Sequence, residues 1–325
     1  MEDKKSELIA KVEFQRPIAK IVDFKPEFLS GRVKDYPLRL VVYGLPGVGK
    51  STFAALSDNP VFFDFEKGSR ELDVTRFQNV TSYDTLMAAI AWLRKENHSF
   101  KTVVIDTLDS LESIIQREII EKHKWQSIAD GAWAEGYSEA LAKFRNIIFE
   151  LDELATKRKM GQILIAHCKV VVTSSPDEIN PYERLGLKLN DRVVGLLREK
   201  CDAIGLAKRE TIATKDQSSG KYKAYYTGKH HLLTAPSAHY DSKSRFILPD
   251  PLPLSWNDFK TAFLERETGA AEEIYAKILT EAEKVTDASM KAKILTTVER
   301  DKANTRQLIK HLNLLNERLS KKENS

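Results

Sequence analysis

The sequence is poor in cysteine, in long apolar runs and in net charge. Only two cysteines occur among its 325 residues. Both Cys168 and Cys201 sit in apolar, strand-like surroundings, which argues for buried thiols rather than a disulfide or a metal site. No stretch approaches the roughly 18 uninterrupted apolar residues of a membrane span, and the segment Met1-Glu2-Asp3-Lys4-Lys5 lacks the apolar core of a signal peptide. The expectation is a cytoplasmic protein with no membrane contact. Fifty-one basic against 47 acidic side chains leave a net charge of +4, too mild to diagnose nucleic-acid binding by itself. Any such contact must come from local clustering. With 42% hydrophobic and 30% charged residues, the chain can bury one sizeable α/β core and carry a smaller appendage.

What is present is a phosphate-binding loop. Gly44-Leu45-Pro46-Gly47-Val48-Gly49-Lys50-Ser51-Thr52 is entered from the apolar run Leu38-Arg39-Leu40-Val41-Val42-Tyr43 and followed by Phe53-Ala54-Ala55-Leu56, which can begin a helix. Its glycines let the backbone wrap closely around an anion, so that N–H groups converge on phosphates. In this pattern Lys50 reaches the β- and γ-phosphates and the Ser51 hydroxyl reaches Mg²⁺. The expected ligands are ATP and Mg²⁺.

Residues 1–37 are polar and broken by Pro17, Pro26 and Pro37, the composition of an extended arm. Short apolar runs at Pro60–Phe65, Phe100–Asp106 and Gln162–Ala166 alternate with helical stretches at Thr85–Leu93 and Ala140–Ala155. The latter places Leu141, Phe144, Ile148, Leu151 and Ala155 on one face. That alternation predicts an α/β fold with a mainly parallel sheet covered on both sides. Ala203–Thr214 and Lys221–Thr234, joined by a Ser/Gly-rich turn, predict an antiparallel hairpin added to the sheet. The core is expected over 38–251 and a helical region over 252–325. Its last helix, Lys302–Leu319, carries Leu308, Leu312, Leu315 and Leu319 at the spacing of a helix–helix contact.

Hydrolysis needs an ion site and a base. Asp106 ends a Val-Val-Ile-Asp strand, where a carboxylate can hold the water shell of Mg²⁺ beside Ser51. Glu66 closes the strand after the loop's helix and is the favoured residue to orient an attacking water, with Asp64 as the alternative. His167 follows Gln162–Ala166 at the sheet edge facing the nucleotide, where a side-chain donor is placed to sense the γ-phosphate.

In this order the motifs resemble the RecA-like branch of P-loop ATPases, most closely phage-encoded ATP-binding proteins of the single-strand-annealing recombinase type. The resemblance covers roughly 38–251. It implies a RecA-like core, Glu66 as catalytic base, His167 as γ-phosphate sensor and a phage-infected or prophage-bearing bacterial host. The run Asp241-Ser242-Lys243-Ser244-Arg245-Phe246 is similar to the Lys-x-Arg element with which relatives reach a neighbouring subunit's ATP. On an extended segment Lys243 and Arg245 point the same way, and a guanidinium from a neighbour can neutralise transition-state charge. That reading implies a homo-oligomer with shared sites. A recognisable RecA DNA-binding loop is missing, and the C-terminal helices lie outside the resemblance.

Single-stranded DNA contact is expected from clustering alone. Lys200, Lys208, Arg209, Lys215, Lys221, Lys223 and Lys229 outnumber Asp202, Glu210 and Asp216, with Tyr222, Tyr225 and Tyr226 interleaved. Cations that track phosphates beside rings that stack bases suit a single-strand groove; core strand positions explain the tyrosines equally well. The segment Lys169–Lys188 reads as a long polar loop able to order over DNA, through Lys169, Arg184 or Lys188. Three functions fit. First is an oligomeric, DNA-stimulated ATPase of recombination or replication that promotes annealing or strand exchange, with a single-strand-binding or replication protein as a candidate partner. Second is an ATP-dependent loader or remodeller of a replication protein complex, its C-terminal helices binding the partner. Third is a small-molecule kinase, disfavoured because Glu66 and the Lys243/Arg245 pair suit water attack.

Overall fold

Why the central strands lie inside is visible in their alternation. In strand β1 (Arg39–Gly44) every residue is buried: Val41 and Tyr43 enter one apolar core, Leu40 and Val42 the other. Strand β4 (Thr102–Asp106) splits the same way, Val103 and Ile105 to one side and Val104 to the other. A strand apolar at both parities is stable only between two covering layers. The computed structural model describes residues 36–174, 180–215, 222–265, 270–285, 287–300, 308, 311–312 and 314–316. The expected N-terminal arm, but for its last two residues, and the turn around 216–221 lie outside these residues.

The parallel part of the sheet joins β3 (Thr75–Arg76), β2 (Pro60–Asp64), β4, β5 (Gly161–Thr173), β1 and β7 (Ala203–Lys215) in that spatial order. Beyond β7 come two antiparallel neighbours, β8 (Tyr222–Leu233) and then β10 (Leu252–Pro253). Two more antiparallel strands lie off this path: β6 (Tyr182–Leu187) pairs with β5, and β9 (Lys243–Ser244) with β7. The α/β expectation and the antiparallel hairpin are both realised.

One face is covered by α2 (Tyr83–Lys95), α3 (Leu108–His123), α4 (Glu135–Arg158) and α5 (Asp191–Lys200). Three of their entries are set by side-chain caps. Ser82 and Thr85 form a reciprocal capping box, and the side chains of Thr107 and Asn190 accept from Ser110 and Arg192 N–H groups. The other face is covered by the short α1 (Lys50–Ala55) and by α6 (Trp256–Glu265). Phe53 packs edge-on against Trp256 and Phe259, with ring centroids 5.7 and 6.0 Å apart. The apolar core on this face extends past residue 251, taking in β10 and α6. Helices α7 (Ala270–Ala282) and α8 (Ala288–Arg300) form a separate small core with Ile278, Ala282, Val298, Leu308 and Leu315.

One expectation is corrected. Much of the segment 169–188, read as a polar loop, is a β-ladder: β5 runs on to Thr173 and pairs antiparallel with β6, from Cys168↔Leu187 to Thr173↔Tyr182. Residues 175–179 of that segment lie outside the described residues.

Candidate functional site

Strand β1 delivers the chain to the loop between β5 and β7, with Gly44 beside His167 on one side and Ala207 on the other. Only glycine fits there, because a β-carbon on Gly44 would come within 2.4 Å of the Ala207 carbonyl oxygen. Gly47 and Gly49 take φ of +71° and +104°, left-handed conformations that a side chain disfavours. Between and after these turns Lys50 is buried, and its Nζ donates to the carbonyls of Gly44 and Leu45 at 3.0 Å each. Burial holds its pKa below the ordinary lysine value, opposed by the nearby carboxylates Asp106, Glu66 and Asp109.

Ser51 Oγ donates to Asp106 Oδ2 at 2.6 Å. The two residues are 55 positions apart in the chain. Burial pushes the Asp106 carboxyl up to about 6, against the Ser51 hydrogen bond, with Asp64 and Glu66 adding to the rise and Lys50 opposing it. A hydroxyl and a carboxylate at this separation, beside a lysine held by neutral carbonyls, fit a magnesium nucleotide. Ser51 and Asp106 would hold Mg²⁺, whose charge would offset that of the phosphates, and Lys50 would meet the phosphates directly.

Glu66 lies just past β2, beside the start of α3. Its Oε1 accepts from Thr107 Oγ1 at 2.7 Å and from Ser110 Oγ at 2.9 Å, and His167 Nδ1 stands 3.4 Å away. Asp64 is otherwise engaged, accepting from Gly68 and Ser69 N–H groups at 3.1 and 3.0 Å and from the Ser69 hydroxyl. Of the two carboxylates, Glu66 is the more accessible.

His167 is fastened to Asp109, a residue of the first turn of α3 that sequence reasoning missed. The His167 main-chain N–H donates to Asp109 Oδ1 at 3.0 Å, and Nδ1 to Oδ2 at 2.9 Å. Burial raises the Asp109 pKa, but the hydrogen bonds and charge of His167 outweigh it and leave the carboxyl below its ordinary range. Glu66, Asp109 and His167 offer ligand atoms within 4.8 Å of one another; these hydrogen bonds already account for that proximity. The available signal for Asp109 was its position three residues after a strand-ending aspartate, at a helix start.

Lys243 and Arg245 are not brought to the nucleotide site of their own chain. Strand β9 pairs with the first residues of β7, Ala203↔Ser244, at the opposite edge of the sheet from Gly44. Lys243 Nζ donates to the carbonyls of Arg198 and, at 2.8 Å, Cys201. Arg245 donates to the Glu199 carbonyl at 2.8 Å and pairs with Asp202 at 3.0 Å. Cations placed so cap the C-terminal end of α5. Of the residues considered for DNA, Tyr225 and Tyr226 are 55% and 68% exposed on β8 rather than core. Lys208, Lys229 and Lys188 are exposed; Lys169 donates to the Leu189 carbonyl, and Arg184 pairs with Asp241. Nothing is described of Lys221 or of the side chains of Lys215, Tyr222 and Lys223.

Residues 36–246 match the family model for the AAA domain. The chain belongs to the AAA domain family. Its loop, Ser51–Asp106 pair and Glu66 thus sit in an AAA-type P-loop ATPase domain, and the match extends through Arg245. The match is to the domain and does not carry a recombinase type with it. No curated protein matches the chain. No helix among the described residues is long and apolar enough to cross a membrane.

Proposed function

We propose that this AAA-domain protein is a Mg²⁺-dependent ATP hydrolase that works as an oligomer on single-stranded DNA, in recombination or replication. The observation that carries the hydrolase reading is the convergence, on one sheet edge, of Lys50, the Ser51–Asp106 pair and an accessible Glu66. Lys50 binds phosphate, Ser51 and Asp106 hold the ion, and Glu66 accepts a proton from an attacking water. Support for DNA comes from the β7–β8 ladder, where exposed Tyr225 and Tyr226 accompany exposed Lys208 and Lys229. Successive residues of a strand face opposite sides, so Tyr225 and Tyr226 put a ring on each face of this ribbon; rings beside cations suit bases and their phosphates.

The test is phosphate release by the full chain, with and without a single-stranded oligonucleotide, with Lys50→Ala as the inactive reference. DNA should raise the rate, and Lys50→Ala should abolish it. A rate unmoved by DNA but raised by a replication protein would favour the second reading, a loader or remodeller. The separate small core of α7 and α8 gives that reading its support, as a module for holding a protein partner. Transfer of phosphate to a small molecule, with none released to water, would identify a kinase.

A further inference from the structure

Strands β7 and β8 touch the phosphate loop through a pair of opposed residues. Arg209 and His230 face each other in the ladder, and the register then shifts before Thr211↔Tyr226. Directly opposed residues of an antiparallel pair share a face, and here both reach the loop. Arg209 Nη2 donates to the Gly47 carbonyl at 2.5 Å, while a β-carbon on Gly49 would lie 3.7 Å from His230 Nδ1. Since Ala207 stands beside Gly44 in the β1–β7 ladder, Arg209 lies two residues beyond the point where β1 turns into the loop.

The charge of Arg209 has a neutral partner. Among the described residues no carboxylate pairs with its guanidinium, which is half-buried and lies 5.6 Å from the centre of the Tyr226 ring. Lys50 is alike in this respect, its Nζ donating only to the main-chain carbonyls of Gly44 and Leu45. A guanidinium carries five N–H donors in a planar fork, and the Gly47 carbonyl engages only one nitrogen. Bracing a loop needs a neutral donor alone. A cation held at the rim of a phosphate-binding loop is suited to a polyanion.

We propose that Arg209 is a phosphate-binding residue of the nucleotide site, a cation supplied by the same chain that owns the loop and directed at the triphosphate. This inference rests on the ATP-binding reading above. It also removes Arg209 from the basic residues assigned to DNA, leaving Lys208 and Lys229 on the exposed part of the ladder.

The test is equilibrium binding of a fluorescent ATP and the corresponding ADP, with Mg²⁺, to the full chain and to three variants whose folding is checked by thermal melting. Arg209→Gln keeps a donor for the Gly47 carbonyl and removes the charge; Arg209→Lys keeps the charge; Arg209→Ala removes both. Loss of a charge-assisted contact should weaken ATP binding about tenfold in Arg209→Gln and Arg209→Ala, with a smaller effect on ADP. Arg209→Lys should recover part of it. Wild-type ATP affinity in Arg209→Gln would overturn the proposal and leave Arg209 as a loop brace. A loss shared equally by the Gln and Lys variants would overturn it as well. Failure of the wild-type chain to bind ATP is a different result, and it would overturn the ATPase reading itself.

Discussion

His167 meets Asp109 twice, once through its main-chain N–H and once through Nδ1, at 3.0 and 2.9 Å. The double contact fixes both the strand and the ring beside the phosphate loop, since His167 also stands opposite Gly44 in the β1–β5 ladder. Because Nδ1 lies 3.4 Å from Glu66 Oε1 as well, the histidine links the start of α3 to the candidate base. The contact connects β5 with the helix that supports Glu66.

Asp109→Asn should therefore slow hydrolysis on the order of tenfold while leaving KM for ATP nearly unchanged, because it loosens the ring without touching the loop. Steady-state kinetics of the variant give both parameters. A rise in KM with kcat intact would assign Asp109 to ground-state binding instead.

Asp106 carries a pH signature in the protein without nucleotide. Its folded-state pKa of about 6 lies above the ordinary 3.8, so the stability it contributes is present below the ordinary value and is lost as pH rises through about 6. A shift of this size corresponds to roughly 3 kcal/mol. Asp106→Asn should accordingly melt higher than wild type at pH 8, lose that advantage at pH 4, and bind ATP with weakened Mg²⁺ dependence. A lower melting temperature than wild type at both pH values would contradict the burial argument.

The capping geometry of Lys243 and Arg245 competes with a role on a neighbouring subunit's nucleotide. Arg245 is half exposed, so removing its pair with Asp202 should cost only about 1 kcal/mol. If capping is its whole function, mixtures of Lys50→Ala and Arg245→Ala chains should hydrolyse ATP no faster than the sum of the two alone. Recovery on mixing, with co-assembly confirmed by sedimentation, would place Arg245 in a shared site.

The chemistry carried by contiguous sequence was legible. The loop from Gly44 to Thr52, the buried strands around Val41, Val104 and Leu164, and the apolar face of α4 all follow from local spacing. Long-range pairings were not. The alternation from Lys169 to Thr173 was open to a strand, but its partner β6 begins nine residues after Thr173 ends β5, and the intervening serines and Pro176 suggested a loop. Helix α3 went unrecognised although Thr107 and Ser110 carry a cap, and with it Asp109 was missed. Strand β10 has two residues, too few for any periodicity. Lys243 and Arg245 show the limit for charges: a Lys-x-Arg run has the same appearance whether it caps a helix or reaches a phosphate.

We propose that Glu66 activates water in a site that binds magnesium ATP. The most direct measurement pairs ATP affinity with single-turnover phosphate release for Glu66→Gln, an isosteric change that keeps the contacts to Thr107 and Ser110 within reach. Wild-type affinity with release slowed at least about a hundredfold is the predicted result. Release at the wild-type rate would contradict it and remove Glu66 from the reaction.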